Sequence, residues 1–308
     1  MKTILEDQSV KRDVTLKILN RVTDLPYDYD SVNDVLYLLK DSNANFIQLA
    51  KAIQRDHALF IKTLSAANSI AEKSSKKVYT IERAISLLGL ENIEKIVRET
   101  LQNSSMKMDD RDSWYRNKFW RHSIFVANTA KSLSEEINYR ESSNSFTAGY
   151  LHDIGVFVIW SFFPQEYQEI KKLVEEDEIP FLKAEKIVLG SSHTEIAKLM
   201  MNRWNLPGEI TKAVSNHHNP SDSGEEIILS SIVHLADFVT HWIGINQNHW
   251  DAGIDFDESI IHILMLNDAN ISEQIPFAVN DIIKDILQSK NRSVKNHFQN
   301  HEPVKYYS

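Results

Sequence analysis

The chain has 308 residues, no cysteine, 8 glycines and 7 prolines, and a formal charge of −9 with an isoelectric point near 5.7. The lack of cysteine excludes disulfides, thiolate metal sites and a thiol nucleophile, and it fits a reducing compartment, so a cytoplasmic location is expected. Scarce glycine and proline argue against a turn-rich β-sandwich, the dispersed basic residues argue against a nucleic-acid footprint, and no apolar run of about 20 residues marks a membrane span.

The charged start MKTILEDQSVKRDVTLK lacks the apolar core of a signal peptide. Its first dozen residues are expected to form a loose or edge segment. Leu25-Pro26 then opens a turn before a helical pattern around residues 32–39. Phe46, Leu49, Ala50 and Ile53 step by three and four, which predicts an amphipathic helix. Leu59, Leu64, Ala67 and Asn68 predict another, ending near the SSKK stretch. Thr80 is a natural N-cap for a helix whose buried face carries Ile81, Ala84, Ile85 and Leu88. Gly89 closes that helix, and a further one is expected over residues 91–101. The polar stretch 102–112 is the best candidate boundary.

Beyond it, Phe119, His122, Val126, Thr129 and Leu133 share one helical face, so His122 points inward. The segment LHDIG begins or interrupts an apolar run. Ser192 or Thr194 starts a helix carrying Ile196, Leu199, Met200 and Trp204, and Pro207 breaks it. A short helix leads to Asn216-His217-His218-Asn219-Pro220, where Pro220 forces a stop. The SDSGEE segment reads as a loop, residues 227–243 as a strong helix, and the polar tail after Asn291 as disordered. The whole pattern predicts an all-α protein.

One constellation stands out: His122, the pair His152-Asp153, His193, the pair His217-His218, and Asp237. Each side chain is a metal-ligand type, and imidazole with carboxylate suits iron, manganese, zinc or nickel. Seven donors are too many for one ordinary site and suit two ions sharing a bridging carboxylate, an arrangement that can clamp a phosphate and activate a water. Asp153 is placed to bridge while His152 binds one ion. A lone inward histidine is more often a hydrogen-bonded core residue, and the chain has 12 histidines. His234 and His241 lie three before and four after Asp237 and compete with it for the same helix face. Trp114, Trp120, Trp160, Trp204, Trp242 and Trp250 read as core or groove aromatics rather than a base-stacking set.

From about residue 25 to 243 the chain resembles the HDOD family, the HD-related output domains of bacterial signalling proteins. In the N-terminal half the resemblance rests on Leu25-Pro26, IQLAKAIQRDHALFIKTLSAANS and IERAISLLG. In the C-terminal half it rests on FWRHS, AGYLHDIG, SSHTEIAKLMMNRWNLP, Asn216-His217-His218 and VHLAD. Where the family often has Asp-Pro this chain has Asp56-His57. The resemblance implies a two-lobed helical bundle whose second lobe is HD-domain-like. It divides the chain into an extension (1–17), an N-terminal lobe (18–108), a metal-binding lobe (109–246) and a C-terminal extension and tail (247–308).

Many HDOD members look like HD phosphohydrolases without their metal ligands, whereas this chain keeps them. By likeness to the HD-GYP phosphodiesterases, one ion would see His122, His152, Asp153 and Asp237, and the second would share Asp153 and see His193, His217 and His218. Two departures count against catalysis, and with it against cyclic di-GMP hydrolysis: Val156 stands where a phosphate-pairing lysine commonly follows HDIG, and Asn219-Pro220-Ser221 replaces a glutamate and the Gly-Tyr-Pro element. Lys118 stands where a glutamate is sometimes found one turn before the first histidine, so a third metal ligand from that side is missing. The expected function is a regulatory signalling protein with a dinuclear centre, iron or manganese being favoured. An active phosphohydrolase, with Asp153 bridging the ions, and a metal-free scaffold are the alternatives. The expected partners are a separate signalling protein or a small phosphate-containing ligand.

Overall fold

The computed structural model describes residues 2–72, 77–108, 113–242, 250, 257 and 259–266. Among these residues the fold is all-α, and the one isolated β-bridge pairs Tyr27 with Lys107. No single helix in them is long and apolar enough to cross a membrane. The expected disordered tail and the side chains of Trp114 and Trp242 lie outside the description.

The N-terminal residues correct one expectation. Helix α1 spans Lys2–Leu19 instead of forming a loose segment. Its order comes from packing rather than local pattern. The Lys11 ammonium and the Thr15 hydroxyl donate to the carbonyls of Ile187 and Leu189, 3.0 and 2.8 Å away. Those carbonyls end another helix and would otherwise be orphaned. Gly190 follows them in the left-handed conformation, and a Cβ there would lie 2.5 Å from the Gln8 carbonyl oxygen.

Helices α2 (Tyr29–Lys40), α3 (Phe46–Ile53), α4 (His57–Ala71) and α5 (Ile81–Gln102) form the N-terminal lobe. Their starts are fixed by capping side chains, Asp28, Asn45, Asp56 and Thr80, each accepting a backbone N–H three residues on. Gly89, at φ +74°, breaks α5 into the two segments the sequence predicts.

The second lobe comprises α6 (Ser113–Glu136), α7 (Ser142–Leu151), α8 (Ile154–Phe162), α9 (Pro164–Glu175), α10 (Phe181–Leu189), α11 (His193–Arg203), α12 (Gly208–Ser215), α13 (Ile227–Trp242) and α14 (Ser259–Ile263). The SDSGEE stretch, residues 221–226, expected as a loop, lies within a 3-10 segment, Pro220–Glu226, kinked at Gly224. Proline fixes its first φ, and the hydroxyl of Ser223 bonds that of Ser230, 2.6 Å away, which pins the segment to α13.

One apolar core runs through both lobes, from Leu19 to Trp250. Each large side chain buried in it contributes about 1.5–3 kcal/mol. The lobes are also stitched at the end of α3, where the Gln54 carbonyl accepts from the Trp120 indole at 2.8 Å and the Tyr150 hydroxyl at 2.7 Å. A smaller cluster joins α6, α13 and α14 through Val126, Leu133, Ile232, Val239, Ile260 and Leu264. Helices α6 and α7 meet without side-chain separation, because a Cβ on Gly149 would sit 2.9 Å from the Ala127 Cα. That approach brings the face of α6 bearing His122 against the end of α7.

Candidate metal centre

Five segments deliver the seven candidate donors to one place. His122 lies mid-way along α6, on the buried face. His152 ends α7 and Asp153 precedes α8, so the break between these helices turns both side chains inward. An aspartate at a helix start normally accepts a backbone N–H. Asp153 makes no such bond, which leaves both carboxylate oxygens for the centre. His193 is the first residue of α11, set by a capping box between Ser192 and Glu195. His217 and His218 follow α12, and Asp237 projects from α13.

Asp153 divides the donors. Its Oδ2 lies 3.1 Å from His152 Nε2 and 3.4 Å from His122 Nε2. Asp237 Oδ1 completes that set, 3.3 Å from His122 Nε2 and 3.5 Å from His152 Nε2. Asp153 Oδ1 faces the other way, 3.6 Å from His193 Nε2 and 3.8 Å from His217 Nε2. His218 Nε2 lies 3.1 Å from His193 Nε2. Donors bound to a common ion at about 2.0–2.2 Å stand about 3 Å or slightly more apart, so this spacing suits shared coordination. Two groupings of metal-ligand type result: Asp153, His193, His217 and His218 in one, His122, His152 and Asp237 in the other.

All but His218 are buried, none of those more than 3% exposed. Among the described residues, Asp153 Oδ2, Asp237 Oδ1 and His217 Nε2 make no hydrogen bond. Buried polar atoms left so are costly, and these converge on the same space. The donor set therefore fits cations.

The electrostatics agree. Burial opposes charge on His152, yet Asp153 and Asp237 overcome it and raise its pKa well above the usual imidazole range. Burial would raise both aspartates, but the positive His152, with the His122 imidazole close by, holds them well below the carboxylate range. Without a cation, a proton is held here. Burial pushes His217 down to about 3, and burial with the neighbouring His217 and His193 pushes His218 well down. A cluster that combines protonated and strongly deprotonated imidazoles around two carboxylates is poised to exchange protons for metal.

The other histidines of α13 do different things. His234 Nδ1 lies 2.7 Å from the His217 carbonyl, and its Nε2 accepts the Asp257 N–H at 3.2 Å. It anchors the backbone of His217 rather than facing the carboxylates. Asp237, not His234 or His241, groups with His122 and His152.

The sequence reading passed over Glu185. It is 0% exposed, and its carboxylate meets His193 Nδ1 at 2.9 and 3.0 Å. The available signal was a charged residue on the apolar face of α10, between Ala184 and Val188. Trp250 was also missed as a neighbour of the centre, its ring edge-on to His122 at 6.3 Å.

The HDOD domain family model matches residues 25–220. An uncharacterized protein of Treponema pallidum (strain Nichols) is 22% identical over 223 residues, which is 72% of this chain and 43% of that protein. The chain thus spans less than half the length of that curated relative. The MmoQ response regulator from Methylococcus capsulatus str. Bath is similar in structure, with a TM-score of 0.61 at 19% identity, covering 83% of this chain and 99% of that one. A virulence factor from Campylobacter jejuni subsp. jejuni has a TM-score of 0.60 at 18% identity, covering 87% and 98%. At such identities the likeness is one of fold.

Proposed function

Because this chain belongs to the HDOD domain family, we propose that it is a regulatory signalling protein built around a dinuclear transition-metal centre. His122, His152, Asp153 and Asp237 hold one ion, and Asp153, His193, His217 and His218 hold the other. The supporting observation is the division of Asp153, whose two oxygens face separate histidine sets. Three buried carboxylates, Asp153, Asp237 and Glu185, also call for compensating positive charge. Iron or manganese suits such histidine and carboxylate donors, and zinc or nickel fits the same set.

Bound ions of this kind supply Lewis acidity and an activated water. The chain itself does little to hold a phosphate. Val156, at the position of the phosphate-pairing lysine, is 0% exposed within α8. The donors are enclosed, with His218 the most open of them. This favours a regulatory centre that reports on metal or redox state, read by a separate signalling protein, over rapid turnover of a large phosphodiester. The Methylococcus capsulatus neighbour is itself named a response regulator, which accords with the regulatory reading. The bridging geometry of Asp153 is the one observation favouring a second reading, a metal-dependent phosphohydrolase acting on a nucleotide or small phosphodiester.

Elemental analysis of protein purified without chelator or metal-affinity resin tests the proposal. Two equivalents of a transition metal, lost in Asp153→Ala, are expected. Metal-free protein would reduce the chain to an interaction scaffold. Hydrolysis of a nucleotide or phosphodiester that disappears in Asp153→Ala would replace the regulatory reading with the enzymatic one.

A further inference from the structure

Three imidazoles of the centre are held by their outward ring nitrogen, and they are not held alike. His152 Nδ1 lies 2.7 Å from the Gly149 carbonyl, and His217 Nδ1 lies 2.7 Å from the Val214 carbonyl. Each acceptor is a neutral backbone group three residues earlier in the chain. His193 Nδ1 instead faces the Glu185 carboxylate at 2.9 and 3.0 Å, and the same carboxylate accepts the His193 backbone N–H at 2.9 Å. Among the described residues, the hydrogen bonds of Glu185 go to His193. The other buried residues of α10 are apolar, namely Phe181, Ala184, Val188 and Leu189. A carboxylate is costly to bury unless its partners are well aligned. This one is fully buried and spends both oxygens on a single residue of the centre.

We propose that Glu185 is a positioning residue. It keeps the His193 proton on Nδ1 and the lone pair on Nε2, and it makes the half of the centre holding Asp153, His193, His217 and His218 the tighter-binding half. The proposal rests on the metal-centre reading above. Accepting the Nδ1–H leaves Nε2 as the donor, and Nε2 is the atom directed at Asp153 Oδ1 and His218 Nε2, 3.6 and 3.1 Å away. A carboxylate behind an imidazole also makes the ring a stronger donor than a carbonyl does. The backbone bond adds a second constraint, since it fixes the first residue of α11 as well as its ring. In the other half His152 leans on a carbonyl. The two halves therefore bind unequally although their donor types are alike.

Cobalt(II) titration of the metal-stripped full chain tests this, with each half isolated by a variant. Asp237→Ala leaves the His193 half, and His218→Ala leaves the His122 half. Glu185→Gln is expected to weaken cobalt binding about 10–100-fold in the Asp237→Ala background and to leave the His218→Ala background within about twofold. Equal weakening in both, which is what a merely structural role would produce, overturns the proposal, as does no change in either. A second measurement needs no metal. In nitrogen-15 spectra of metal-free protein, at a pH where the ring is neutral, His193 should carry its proton on Nδ1 in the wild type and shift toward Nε2 in Glu185→Leu. An unchanged tautomer overturns the positioning role. Wild-type protein that binds no cobalt overturns the metal reading and the claim of unequal halves with it, while the tautomer still decides whether Glu185 sets the ring.

Discussion

A Cβ atom on Gly155 would lie 1.9 Å from the carbonyl oxygen of His193. Helices α8 and α11 thus meet backbone to backbone, and that contact sets how near Asp153 comes to His193. Gly155→Ala must push the helices apart, because no side-chain rotation relieves a clash with a carbonyl. The expected loss is about 3 kcal/mol of stability by urea denaturation. The same variant should retain less metal in the half containing His193 than in the half containing His122. Wild-type stability in Gly155→Ala would show that the helix contact is softer than its geometry implies.

Metal removal should be felt as a loss of stability. A ligand that binds only the folded chain, present at about 100 times its dissociation constant, adds about 2.7 kcal/mol. Chelator is therefore expected to lower the melting temperature of the wild type, and added manganese(II) to restore it. Asp153→Ala, having lost the shared carboxylate, should melt at one temperature with or without chelator. Asp237→Asn should keep part of the response, because only one grouping contains Asp237.

Asp56 makes one region less stable as pH rises. Burial pushes its carboxyl up to about 6, against the Asp28 and Leu59 backbone N–H groups that donate to it and pull it down. The nearby Asp28 raises it further and Arg116 lowers it. The unfolded value is about 3.9, so the folded state holds the proton more tightly between the two values. Its contribution is complete below about pH 4 and disappears as pH rises through about 6, a change of about 3 kcal/mol. Asp56→Asn has no such titration. The stability gap between wild type and Asp56→Asn, read from urea midpoints, should narrow as pH rises; a constant gap would sink the assignment.

His57, the next residue, works in the opposite direction. Burial, then the positive His152, pushes it down to about 3, and it stacks on Tyr150 at 4.4 Å. The unfolded chain takes up a proton near pH 6.5 that the folded chain refuses, so stability is lost as pH falls from about 6.5 toward 3. Among the described residues, His57 Nε2 is buried without a hydrogen-bond partner, which makes an aromatic replacement inexpensive. His57→Phe should match the wild type near neutrality and exceed it by about 3 kcal/mol near pH 4.5. Equal acid sensitivity of the two proteins would mean that the ring is protonated in place.

Much of the helical framework was legible in local pattern. Thr80 and Ser192 sit where a capping oxygen is needed, and Gly89 where the chain must adopt a positive φ. Helix α1 was not legible, because its order depends on α10, more than 170 residues away in the chain. Glu185 was hidden for a related reason. A lone acid on an apolar helix face looks like an imperfection until the next helix brings His193 onto it.

The amino-acid sequence by itself determined the all-α class, the capped starts of α5 and α11 and the supply of imidazole and carboxylate side chains, because caps and 3.6-residue periodicity act over a few residues. Only the tertiary structure decided which donors meet. His122 and Asp237 are far apart along the chain, and their 3.3 Å separation comes from the packing of α6 against α13. The direction of each Asp153 oxygen and the grouping of Asp237, rather than His234, with His122 and His152 come from the same packing. Such distances depend on how closely helices approach, and here glycines at 149 and 155 allow backbone to meet backbone.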